Sequence, residues 1–178
     1  MRHIPNLLST VRIVLAVPIV LLLREGEDAA AVVLLVVALL TDGADGYAAR
    51  RWGAVSESGK ILDPLADKIV AAATALSLWL WRGLPGWFLL VVVARDLLLL
   101  AGGALLAKRM GRVPSSRPAG KIAFNVLVAV LLIWLLRLES LFAAALAIGT
   151  ALLALSLLLY AVHFRRVLAA RSTEREIP

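Results

Sequence analysis

Four aspartates, Asp42, Asp45, Asp63 and Asp67, are the residues of this chain whose type and spacing could do chemistry together. Helical residues three or four apart share a face, so Asp42, Asp45, Gly46 and Ala49 line one stripe, with Arg50 alongside. Asp63 and Asp67 lie four apart at the start of the next apolar segment, where Pro64 is tolerated in a first helical turn. A short loop from Arg51 to Gly59 folds the two segments back on each other and lets all four carboxylates converge at one depth. Unpaired in a low-dielectric site they would repel and partly protonate, whereas two divalent cations would cancel their charge. Carboxylate-only ligation favours hard ions such as Mg²⁺ or Mn²⁺, which also bridge phosphate oxygens. The chain has no Cys, and its two His, His3 and His163, are remote in sequence, which argues against zinc. A purely structural reading pairs the quartet with Lys68, Arg50 and Arg95, and it fails because those cations are too few. The residues describe a two-metal, phosphate-handling site.

Composition and length place these carboxylates on membrane helices. Of 178 residues 62% are hydrophobic and the mean hydropathy is +0.93; an ordinary soluble domain has about 45–50% apolar residues. Nineteen Lys and Arg against twelve Asp and Glu give a net charge of +7. On so apolar a chain this reads as basic loops facing anionic lipid and not as a nucleic-acid surface. A bilayer core of about 30 Å takes about 20 helical residues. Six segments reach or approach that length, at about 7–23, 29–50, 61–81, 86–107, 121–136 and 140–163. Basic residues alternate between the loops. One side receives Arg2, Arg50, Arg51, Lys60, Lys108, Arg109, Arg112, Arg117, Lys121, Arg165, Arg166, Arg171 and Arg175, the other only Arg24, Arg82 and Arg137. The positive-inside rule then places both termini, and the mouth of the acidic site, in the cytoplasm. The expected fold is an all-α, multi-pass bundle of six transmembrane helices, one domain over residues 1–178, with a short interfacial stretch at Met1–Leu8 and a kink at Pro18. A secretory signal in the first span is disfavoured, because Arg12 interrupts it and five more spans follow.

The run Asp42-x2-Asp45-Gly46-x2-Ala49-Arg50-x8-Gly59-x3-Asp63-x3-Asp67 resembles, without departure, the signature of the CDP-alcohol phosphatidyltransferase family. The resemblance implies transfer of a phosphatidyl group from CDP-diacylglycerol to an alcohol hydroxyl with release of CMP, in the cell membrane, by a homodimer. It implies that Asp42, Asp45 and Asp63 hold the metals, and that Asp67 completes the shell of the second metal and acts as general base. Gly46, Ala49, Arg50 and Gly59 would accommodate the cytidine and its diphosphate. Pro5-Asn6-Leu7-Leu8-Ser9-Thr10-x-Arg12 and Leu62-Asp63-Pro64-Leu65-Ala66-Asp67-Lys68 resemble the members that use glycerol-type acceptors. Glycerol 3-phosphate is therefore the first expectation, phosphatidylglycerol the next, and inositol phosphate or serine after them.

An anionic acceptor needs cations. Arg95, paired in sequence with Asp96, is the best-placed candidate, because a buried Arg forks onto a carboxylate or phosphate. Lys121, Arg109, Arg112 and Arg117 are weaker candidates, and topology and attraction to anionic lipid account for the three loop arginines more simply. Arg12 would either touch the lipid diphosphate or snorkel to the interface. Trp79, Trp81, Trp87 and Trp134 read as an aromatic belt. Gly102 and Gly103 read as a close helix contact, within the chain or across a dimer, and the tail bearing Arg165, Arg166, Arg171 and Arg175 as a basic surface helix. Two rivals remain in view. A polyprenyl transferase would carry its acidic motifs far apart in sequence. A cation transporter would place acidic groups at mid-membrane with access from both sides.

Overall fold

The structure, a computed structural model, describes residues 4–52, 59–110 and 118–175, and side chains within 9–41, 65–105, 120 and 122–165. The described chain is all α-helix: α1 (Ile4–Glu25), α2 (Asp28–Trp52), α3 (Gly59–Arg82), α4 (Gly86–Met110), α5 (Pro118–Leu135) and α6 (Glu139–Arg175). Helices end where the sequence supplies a breaker. Gly26 and Gly83 take positive φ (95° and 71°) at the α1–α2 and α3–α4 turns, as their missing Cβ allows. Arg137 adopts the same left-handed conformation at the α5–α6 turn (φ 53°) without being glycine.

Two expectations about the ends are corrected. The stretch before the first span is no separate element from Ile4 onward, since α1 runs unbroken from there through Pro18. The basic tail is not a separate surface helix either: α6 carries on to Arg175, 37 residues in all. Charge alone does not stop a helix, and between Gly149 and Pro178 the chain holds neither Gly nor Pro to break it. In α3 the helix opens two residues earlier than expected, at Gly59, so Pro64 falls in the second turn.

The chain divides into two compact units, Met1–Leu84 with Leu131–Glu139, and Pro85–Val130 with Ser140–Pro178. In the first, α1 packs against α2 and α3. Its inner stripe is Ser9, Arg12, Ala16, Ile19 and Leu23, every member buried and the spacing alternating between three and four. α2 contributes Ala31, Leu35 and Ala38 at the same spacing, and α3 contributes Ala66, Val70, Thr74 and Leu78. Small side chains let backbones approach. The hydroxyls of Thr74 and Ser77 donate to the carbonyls of Val70 and Ala73 (2.8 Å each), so neither is left bare inside.

In the second unit α4 and α6 meet along Phe88, Arg95 and Gly102 of one and Gly149, Ser156 and Tyr160 of the other. Both series ascend together, so the two helices run parallel. A Cβ on Gly149 would lie 2.8 Å from Val130 Cγ2 and 3.5 Å from Phe88, and one on Gly102 would lie 3.0 Å from the Tyr160 ring. The glycine at 102 thus receives a tyrosine of its own chain, and Tyr160 donates to the Leu99 carbonyl (3.5 Å). Among the described residues, Gly86–Leu105 and Glu139–Arg165 are long and apolar enough to cross a membrane, while Asp28–Thr41 and Ile122–Leu135 are shorter apolar helices.

Candidate active site

The sequence-predicted site residues lie on two elements of the first unit and on the helices of the second. Asp42, Asp45, Gly46, Ala49 and Arg50 fall in the last turns of α2, and Gly59, Asp63 and Asp67 in the first turns of α3. Side chains of the first seven are outside the described residues, as is the loop 53–58, and so is the expected convergence of the quartet. Asp67 is described. Arg109 closes α4 and Lys121 opens α5, again without described side chains, and Arg112 and Arg117 lie outside the described residues.

Asp67 is not alone. Arg12, the one cation on the inner stripe of α1, hydrogen-bonds and ion-pairs through Nη1 with Asp67 Oδ1. Its side chain is 1% exposed and that of Asp67 21%. Burying a guanidinium without a counter-charge costs several kcal/mol, roughly, so the pair explains how Arg12 tolerates its position. The snorkelling alternative for Arg12 is thereby corrected: its place on the buried face, seven residues before Ile19, sends the side chain inward. The three-and-four spacing that groups Ser9 and Arg12 with Ala16 and Ile19 is present in the sequence.

At the other end of the first unit, a hub unexpected from sequence ties the helices together. Asp28 accepts from Arg82 Nε (2.7 Å) and from Arg137 Nε (3.0 Å). Arg82 also donates through Nη2 to the Leu23 carbonyl (2.8 Å), and Trp134 donates its indole N–H to the Arg82 carbonyl (2.9 Å). Trp134 is therefore a buried strut and not part of an interfacial belt, because an indole N–H shielded from water needs an acceptor; Trp79, Trp81 and Trp87 keep exposed rings. Burial pushes the Asp28 carboxyl up, but hydrogen bonds and charge from Arg82 and Arg137 outweigh it and hold the group below its ordinary value. The signal was present: Asp28, Arg82 and Arg137 all fall at breaks between the apolar segments. With contacts at Arg12–Asp67 and Leu23–Arg82, α1 and α3 run parallel and are pinned at two heights.

In the second unit Arg95 is buried. Its Nη1 donates to Asp96 (2.6 Å) and its Nη2 to Ser156 Oγ on α6 (2.9 Å). Ser156 was missed in the sequence, where the signal is a hydroxyl between Leu155 and Leu157 in an apolar span. Asp96 takes the structural role that its adjacency allowed.

A family model described as CDP-alcohol phosphatidyltransferase matches residues 2–163. A Streptomyces coelicolor protein named cardiolipin synthase (CMP-forming) is 36% identical over 184 residues, covering 94% of this chain and 85% of its own length. The Bacillus subtilis CDP-diacylglycerol–glycerol-3-phosphate 3-phosphatidyltransferase is 31% identical over 138 residues, 68% of this chain and 70% of its own. A rat cardiolipin synthase (CMP-forming) is 36% identical over 119 residues, 66% of this chain and 39% of its own. With the acidic signature complete and nearly the whole chain matched, this protein belongs to the CDP-alcohol phosphatidyltransferase family.

Proposed function

We propose that this chain transfers the phosphatidyl group of CDP-diacylglycerol to a hydroxyl of a glycerol-type acceptor, releasing CMP. The observation that carries the reading is the full Asp42-to-Asp67 signature inside a chain that the family matches from residue 2 to 163. The protein works as a single six-span domain in the cell membrane with its site and both termini on the cytoplasmic side, and it assembles as a homodimer. Support for the spans comes from the inverted distribution of side chains. Large apolar residues such as Val14, Val17, Leu40, Leu90 and Leu97 face outward while Ser9, Arg12, Thr74, Ser77 and Ser156 are buried, the arrangement a lipid solvent favours.

Asp42, Asp45, Asp63 and Asp67 would hold two Mg²⁺ or Mn²⁺. The donor chemistry fits, being oxygen throughout, and positions 42 and 45 are the next in register after the buried Ala31, Leu35 and Ala38 of α2. When bound, the metals neutralise the diphosphate and stabilise charge on the departing CMP. Gly46, Ala49, Arg50 and Gly59 accommodate the cytidine diphosphate. Asp67 takes the proton of the acceptor hydroxyl as its oxygen attacks the phosphatidyl phosphorus and the bond to CMP breaks. Arg12 keeps that carboxylate oriented. Arg95, with Arg109, Arg112, Arg117 and Lys121 as further cations, holds the acceptor's phosphate.

Glycerol 3-phosphate is the first acceptor. Phosphatidylglycerol is a second reading, favoured by the extent of the match to the Streptomyces cardiolipin synthase. Purified protein given CDP-diacylglycerol, Mg²⁺ and, in turn, glycerol 3-phosphate, phosphatidylglycerol, inositol phosphate and serine should release CMP only with a glycerol acceptor, and the product mass identifies which. Absence of CMP release with every acceptor and either metal would refute the assignment.

A further inference from the structure

The guanidinium of Arg95 is held from two sides but not on its third. It lies midway along Gly86–Leu105, one of the two helices apolar and long enough to span a membrane. Nη1 is on Asp96 and Nη2 on Ser156, while Nε is buried and has no hydrogen-bond partner among the described residues. An unmet N–H in such surroundings is unfavourable, and more so on a charged group. Two fixed nitrogens leave the guanidinium plane little freedom. Its Nε–H therefore stands in a set direction and offers one aimed, charge-assisted hydrogen bond to an anionic oxygen.

We propose that Ser156 is a positioning residue for the acceptor: through its hydrogen bond to Arg95 Nη2 it aims the Nε–H edge at an anionic oxygen of the acceptor's phosphate. The inference rests on the reading of Arg95 as acceptor clamp and adds to it a second residue on a different helix. Asp96 occupies Nη1, as Ser156 occupies Nη2, which leaves Nε as the nitrogen open to a ligand. The chemistry recognised is a phosphate oxygen bearing negative charge, carried either by a soluble glycerol phosphate or by the headgroup of a lipid.

The test measures KM and kcat for both substrates in Ser156→Ala, Ser156→Thr and Arg95→Ala, with glycerol 3-phosphate and with phosphatidylglycerol vesicles as separate arms. A second readout is the rise in Tm of the detergent-solubilised protein on adding each acceptor without CDP-diacylglycerol. Ser156→Ala should raise the acceptor KM about tenfold, equivalent to about 1.4 kcal/mol, change the KM for CDP-diacylglycerol less than twofold, and lose most of the acceptor-induced Tm rise. Ser156→Thr, which keeps the hydroxyl, should restore the acceptor KM. The arm that responds identifies the source of the phosphate. If Arg95→Ala raises the acceptor KM but Ser156→Ala does not, the role of Ser156 is wrong and the clamp stands. If Arg95→Ala affects both substrates equally, the clamp itself is wrong and the inference falls with it. A Ser156→Ala protein with a lower Tm but unchanged acceptor KM and an unchanged acceptor-induced Tm rise would reduce Ser156 to packing.

Discussion

At the scale of single residues, the account turns on Asp67 and the buried cation beside it. Asp67→Asn keeps size and polarity but cannot take a proton, so turnover should fall by about 10²–10⁴-fold, the usual contribution of a general base. Binding of CDP-diacylglycerol, measured by equilibrium titration, should survive; near-normal turnover would remove Asp67 as base. Arg12→Ala leaves the Asp67 carboxylate without its buried partner, a change that costs about 3–5 kcal/mol. It should lower both Tm and kcat, and Arg12→Lys should recover part of each, because an ammonium restores the charge without the planar guanidinium. The quartet was legible in the sequence, since carboxylate type and helical spacing are read directly from residues 42–67. The partner of Asp67 was not. Arg12 lies 55 positions away on another helix, and a cation in an apolar span is equally compatible with snorkelling until the buried face of α1 is known. Ser156 escaped for the same reason, because a serine in a span back-bonds to its own helix as readily as it reaches across to another.

At the scale of elements, helix identities and most boundaries followed from the sequence because breakers are local. Gly26, Gly83 and Pro85 mark their turns unaided. The end of α6 did not, since the passage from apolar to basic composition carries no change in helix propensity. Pairing between helices was beyond reach as well, because it depends on which stripe faces inward. Two predictions belong here. Gly149→Leu forces a side chain against Val130 and Phe88, where even a Cβ would lie 2.8 Å from Val130, and it should destabilise the protein by about 1–3 kcal/mol, read as a drop in Tm. Asp28 makes the second. Its folded carboxyl titrates below the ordinary value, so the unfolded chain takes up the proton first as pH falls. The hub therefore contributes its full stability above the ordinary carboxylate range and loses it as pH drops through the lowered folded value. Melting of wild type should be flat near neutrality and fall in acid, whereas Asp28→Asn should start lower and lose this part of the acid dependence. A parallel acid response in the variant would contradict the hub.

For the whole molecule, the proposed six spans with both termini on one side require odd-numbered helices to run one way and even-numbered helices the other; within the first unit α1 and α3 run parallel, and within the second α4 and α6 do. Reporter fusions at both termini should report the cytoplasm, and cysteines placed at Glu27 and Leu138 should be labelled from outside by impermeant reagents. Labelling of those positions only after permeabilisation would invert the topology. In the proposed chemistry the Asp42, Asp45, Asp63 and Asp67 carboxylates hold hard cations against a lipid-linked diphosphate. The most direct measurement is a Mn²⁺ titration, by paramagnetic resonance, of the purified protein with CDP-diacylglycerol in micelles, for wild type and for Asp42→Asn and Asp63→Asn. Wild type should bind two ions per chain, tightened by the liponucleotide, and each variant should lose at least one. Identical binding curves for the three proteins would contradict the account.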